Sequence, residues 1–186
     1  MGFRMPRARE RGKMLDIALQ QFLATLPATD VERVIQFGSH ARGSLRSSSD
    51  DDALRWLRQA EHDLDDAHFV ITGNRHGLAC FLSQQSAEKG VKAFLFACGA
   101  EAVWGHSVAE LCRDAAELDG TFEPIIPLGA SLDKYYIPTR CPDSLPGGIP
   151  AEAFDIWDAE KAVKTTQTIL SHVRKRMRDL QPNERE

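Results

Sequence analysis

Two groups of residues in this chain have the types and spacing for phosphate chemistry. The first is the run GSHARGSLRSSSDDD at residues 38–52. Gly38 and Ser39 would let a tight backbone turn approach a polyphosphate, offering N–H groups and a hydroxyl as donors. Asp50 and Asp52 are two apart; on a strand they would share a face and could hold Mg²⁺ through oxygen ligands. Such an ion would neutralise the charge developing on a transferred phosphoryl group. The second group lies further along. Lys89 and Lys92, three apart, share a helical face, with Gln85 and Glu88 beside them. Tyr136 and Arg140 follow in a loop-like stretch. A lysine pair with an arginine can bind phosphates, and a tyrosine ring can stack on a base. A plainer reading makes Glu88–Lys92 an i,i+4 pair on a solvated helix face, with Tyr135 and Tyr136 packed in a core.

The elements around these residues decide between the readings. KMLDIALQQFLATLP (13–27) reads as a short amphipathic helix, and VERVIQFGS (31–39) as one strand entering the Gly-Ser turn. A lone strand is not stable by itself, so it needs a partner or is poorly ordered. After Asp52 the pattern changes. Leu54, Leu57, Leu64 and Ala67 recur with helical period where a continuing strand would be β-branched. The aspartates therefore sit at a helix start, where Ser49 or Asp50 is a good N-cap and acids suit the first turn. Helices are predicted over 53–72, ending at Gly73-Asn74, and over 76–98, ending near Gly99. Another is predicted over 107–118, opened by a Ser107/Glu110 capping box. A fourth covers 122–135, with Pro124 and Pro127 at its start. Residues 137–151 form a Pro/Gly-rich loop, and a last helix spans 152–179.

Composition narrows the classes. The chain has 186 residues, 42% of them hydrophobic, and a formal net charge of −4. This excludes an overall basic nucleic-acid binder, although basic residues cluster at 4–13 and 174–178. No apolar run is long enough to span a membrane. Residues 1–12 read as a loose basic arm, not a signal peptide. Cys80, Cys98, Cys112 and Cys141 show no metal-type spacing and read as reduced thiols in a cytoplasmic protein. His62, His68 and His76 form no metal spacing either. Trp56, Trp104 and Trp157 read as core or dimer contacts, and His106, just before the capping box, as a cap histidine before a catalytic base.

Two resemblances follow from these residues. GSHARGSLRSSSDDD resembles the GSxARG-x5-SDxD signature of minimal nucleotidyltransferases of the DNA polymerase β superfamily. The later strands and third carboxylate of that family are absent after Asp52, so the match reads as a truncated front segment. The blocks FLSQQSAEKGVKAFLFACG, GHSVAEL (105–111) and LDKYYIPTRCPDSLPGG (132–148) together resemble a HEPN domain, a name that stands for higher eukaryotes and prokaryotes nucleotide-binding. That likeness covers about residues 53–178. It implies an all-α, up-and-down helical bundle, preceded here by a short helix and one remnant strand, with domains at 1–52 and 53–180. It also implies a homodimer and a nucleotidyltransferase partner protein, as in toxin–antitoxin-like pairs.

Three functions are then open. The favoured one is a non-catalytic module that binds nucleotides or RNA through Gly38, Ser39, Lys89, Lys92, Tyr136 and Arg140, with no cofactor required. The second is a Mg²⁺-dependent nucleotidyltransferase using Asp50 and Asp52. The third is a HEPN ribonuclease toxin, whose motif is an Arg, four to six residues, then a His late in the bundle. Arg33–His40 and Arg55–His62 have that spacing but fall too early, and His172 lacks the preceding Arg.

Overall fold

A computed structural model of the chain describes the backbone of residues 35–37 and 46–180 and the side chains of residues 50–180. The helix expected over 13–27, the turn residues Gly38 and Ser39, and the Arg33–His40 pair lie outside the described residues. The order is β1 (Ile35–Phe37), α1 (Arg46–Thr72), α2 (His76–Ala97), β2 (Ala100–Val103), α3 (Val108–Leu118), a 3-10 turn (Gly120–Ile125), α4 (Ile126–Asp133), a second 3-10 turn (Pro142–Ser144), α5 (Pro150–Ala153) and α6 (Ile156–Leu180). The expected helical bundle is therefore what the chain forms.

Its centre is α2, clamped between α1 and α6. Small residues allow the close approach: Ser86 donates its hydroxyl to the Ala60 carbonyl at 2.6 Å, and Thr166 donates to the Ser83 carbonyl at 2.8 Å. A Cβ at Gly90 would run into the Leu170 side chain. α1 runs antiparallel to α6, held by Arg174–Glu61 at 2.7 Å and Gln167–His68 at 2.8 Å. Phe94, Leu95, Leu111, Phe122, Leu132 and Ile169 are fully buried, each such side chain contributing about 1.5–3 kcal/mol. Phe94 and Phe122 meet at 4.5 Å.

The caps explain the turns. Arg75 N–H reaches the Val70 carbonyl and Asn74 N–H the Ile71 carbonyl, the paired bonds of a Schellman end. Asn74, not Gly73, takes the left-handed conformation there, at φ 56°. Ser107 accepts from Glu110 N–H at 3.2 Å, as the capping box required.

Several expectations are corrected. The first long helix starts at Arg46, so Ser49 and Asp50 lie inside it and not at its start. Serine and aspartate are weak helix formers but not breakers, and an anchored helix propagates through them. The strand is not alone. β1 pairs antiparallel with β2, Ile35 opposite Val103 and Gln36 opposite Ala102, with a register shift before Phe37. Ala100–Val103 reads AEAV, too poor in β-branched residues to announce a strand. The fourth helix is split into a 3-10 turn holding Pro124 and α4, with Pro127 in its first turn. Trp104 and Trp157 are exposed, so core packing is not their role. All four cysteines are free. Burial pushes the thiols of Cys80 and Cys112 up to about 12 and that of Cys98 up to about 11. Among the described residues, no helix is long and apolar enough to cross a membrane.

Candidate functional site

The site grows from the one face of α2 that carries charge into the interior. Phe81, Gln84, Glu88 and Lys92 recur at i, i+3, i+7 and i+11 and so lie along one side of the helix. Glu88 and Lys92 are nearly inaccessible, at 4% and 6% exposure. A buried charge is tolerable only when paired and hydrogen-bonded, and both conditions are met. Lys92 Nζ lies 2.8 Å from Glu88 Oε1. Gln84 and Gln85 donate their amides to Glu88 Oε2 at 3.4 and 3.3 Å. The i,i+4 pair read from the sequence is therefore present, but inside the protein and not on a solvated face.

His106 completes the carboxylate's surroundings from the other side. Its Nδ1 lies 3.2 Å from Glu88 Oε1, and its backbone carbonyl accepts from Gln84 Nε2 at 2.8 Å. Its imidazole remains 59% exposed. It is held there by the start of α3. Asp133, at the end of α4, accepts from the Ser107 hydroxyl at 2.7 Å and from Val108 and Ala109 N–H at 2.6 and 3.2 Å. An acid at a helix N-terminus satisfies orphan N–H groups and suits the dipole. Gly129 lets α4 come this close, because a Cβ there would sit 2.8 Å from the Ala109 backbone nitrogen.

The loop after α4 adds the outward-facing layer. Tyr136 stacks on His106 with centroids 4.9 Å apart. Arg140 places its guanidinium 4.2 Å from the Tyr136 ring centre and 5.7 Å from that of Phe81. Arg140 is exposed, and among the described residues no carboxylate pairs with it. Tyr135 faces the other way. It is buried, donates to Asp158 at 3.1 Å, and burial raises its phenol above the ordinary value of 10.

The structure thus brings Tyr136 and Arg140 together and joins them to Lys92 through Glu88 and His106. Lys89 is turned aside. It bonds Asp63, which also accepts from Gln59 at 2.7 Å, so Lys89 and Lys92 do not form a free lysine pair. Asp50 and Asp52 lie on a helix, where residues two apart diverge by about 200°, and Asp52 pairs with Arg55 at 3.1 Å. Among the described residues no cluster of three or more His, Cys, Asp or Glu is placed to hold a metal ion. Sequence reading missed Gln84, Asp63 and Asp133 as partners. Glu88 alone carried a signal, as an acid within the apolar series Phe81, Val91, Leu95.

The chain resembles known proteins over the same span. The profile of the HEPN domain matches residues 53–176. A solved structure of TT1696 from Thermus thermophilus is 39% identical, covers 66% of this chain and 96% of its own, and superposes with a TM-score of 0.63. ST0689, described as an archaeal HEPN homologue, is 37% identical over 67% of this chain and 97% of its own, with a TM-score of 0.57. A protein of Methanocaldococcus jannaschii named "Putative toxin MJ1304" is 26% identical over 131 residues, 66% of this chain and 86% of that protein. By its matched length, its helical order and these relatives, this chain belongs to the HEPN domain family.

Proposed function

We propose that this chain is a non-catalytic HEPN module of a toxin–antitoxin-like pair, binding a nucleotide or RNA phosphate at Arg140. The observation that carries this reading is the state of Arg140. It packs beside two aromatic rings, and no carboxylate neutralises it among the described residues. A planar guanidinium so packed keeps its donor fork in place for a phosphate and loses little freedom on binding. His106, fixed by Glu88, supplies a second donor or acceptor at the same edge. The toxin–antitoxin setting draws support from the name of the M. jannaschii relative. A nucleotidyltransferase partner draws support from the resemblance of residues 38–52 to that family's signature. The protein needs no cofactor and pairs with a second copy of itself.

Calorimetric titration of the full chain with ATP and with a short single-stranded RNA tests this. The expected result is saturable binding that weakens about tenfold or more in Arg140→Ala, with Asp50→Ala unchanged. Absence of binding, or equal binding in Arg140→Ala, overturns it. The contact between His106 and Glu88 also resembles a base held by an orienting carboxylate. RNA cleavage in the same samples, lost in His106→Ala, would replace the binding role with a ribonuclease. Mg²⁺-dependent transfer lost in Asp52→Ala would replace it with a nucleotidyltransferase.

A further inference from the structure

Away from Arg140, the face of α1 that packs beside α2 carries Asp52, Arg55, Trp56 and Gln59. These positions are i, i+3, i+4 and i+7, so they line one side of the helix. Together with Lys89 of α2 they enclose an open cleft of about 380 Å³, a size suited to a small molecule. Each wall has a distinct character. Trp56 is the aromatic surface, backed by Phe96 at 5.7 Å in a near-parallel stack. The buried Lys92 ammonium lies 5.6 Å from the same indole. Lys89 forms the inner wall. Its bond to Asp63 uses one of three ammonium donors, and Gln59 shares the same carboxylate. Arg55 and Asp52 form the rim, with side chains 79% and 49% exposed. An ion pair so exposed is worth little, so Arg55 can turn to a ligand at small cost.

The charges choose the ligand. Arg55 and Lys89 face Asp52 and Asp63, and the balance is even. A polyphosphate would meet two carboxylates, whereas a single anionic group can bind between Arg55 and Lys89. The indole is half-buried against Phe96 and presents its remaining surface to the cleft, where a flat ring can pack against it. We infer that this cleft is a second binding site, for a small planar aromatic molecule carrying one anionic group. An aromatic carboxylate and a nucleoside monophosphate share that chemistry. The site is separate from Arg140 and does not depend on the function proposed there.

Trp56 is its own reporter. The chain has three tryptophans, and the other two are exposed, Trp104 at 64% and Trp157 at 74%. Full-length protein carrying Trp104→Phe/Trp157→Phe leaves Trp56 as the sole indole. Its fluorescence is titrated with nicotinate and with adenosine monophosphate. Adenosine and inorganic phosphate serve as probes that lack the charge or the ring. The expected result is saturable quenching by nicotinate, by the monophosphate or by both, and none by the two controls; the tighter of the two names the anion. Arg55→Ala weakens binding about tenfold, and Asp52→Asn tightens it, because the carboxylate that competes for Arg55 is gone. Arg140→Ala leaves it unchanged. Absence of saturable quenching by either ligand, equal affinity in Arg55→Ala, or loss of quenching in Arg140→Ala overturns the inference.

Discussion

Two charged corners of this protein each combine an arginine, a histidine and a carboxylate and end in different states. At one end of α6, Arg176 bonds both Asp119 and Asp179, Asp119 also accepts from Thr121 N–H, and Thr121 meets His172 at 3.2 Å. That set is closed, with its cation held by carboxylates on both sides. Along α2, Glu88 gathers Lys92, Gln84, Gln85 and His106, and the chain of contacts continues to Tyr136 and stops at Arg140. That set is open, because its last cation has aromatic neighbours and no carboxylate among the described residues. Counting charges would not separate the two. At Arg140 one member is left over, pre-placed by partners that do not neutralise it.

The sharpest way to break the contrast is at the buried pair. Lys92→Met strands the Glu88 carboxylate and is expected to lower stability by about 3–5 kcal/mol in urea unfolding. Glu88→Leu/Lys92→Met should recover part of that loss. A cost no larger than that of a surface pair would show that the network is not buried in solution. Next in size, Asp133→Ala removes the acceptor shared by Ser107, Val108 and Ala109. It should cost about 1–2 kcal/mol and free His106 from Tyr136, read as loss of ring-current shift in the imidazole proton resonances.

The closed corner should respond least and only in stability. Arg176→Ala is expected to lower stability only slightly, because the pair is partly exposed, with ligand binding intact. This corner also sets a pH dependence. Burial, helped by Arg176 and Lys175 and opposed by Asp119, holds the His172 imidazole below its ordinary 6.5. The folded state therefore binds fewer protons than the unfolded one, and stability falls as the pH drops below 6.5. Burial works against the Asp119 carboxylate, but Arg176 and Thr121 outweigh it and hold the group below its ordinary 3.8. Its stabilisation is present above 3.8 and is lost as the pH falls through the folded value. His172→Gln should flatten the first part of the acid limb in thermal melts and leave the second.

Much of the bundle was legible because its signals are local. The helical period after Asp52, the Ser107–Glu110 box and the Gly73-Asn74 stop each act within a few residues. Glu88–Lys92 was legible as a pair for the same reason. Its burial was not, because that depends on His106 and on Trp56 from other elements. Lys89 was misjudged as free since its partner, Asp63, lies on a different helix. Tyr136 and Arg140 were singled out by type and spacing, but nothing local says that Phe81 supplies the second ring beside Arg140. Gln84 and Asp133 are ordinary residues made important only by the chain crossings that meet them.

The two-stranded pairing of Ile35–Phe37 with Ala100–Val103 ties the region before the bundle to a ribbon three residues from His106. A shortened protein that begins at Arg46, where α1 starts, would keep every described helix and still leave β2 with an open row of amide and carbonyl groups. Unpaired edges of this kind invite strand addition from neighbouring molecules. Oligomers or precipitate formed by such a deletion would report a missing seam, not the natural assembly of the bundle.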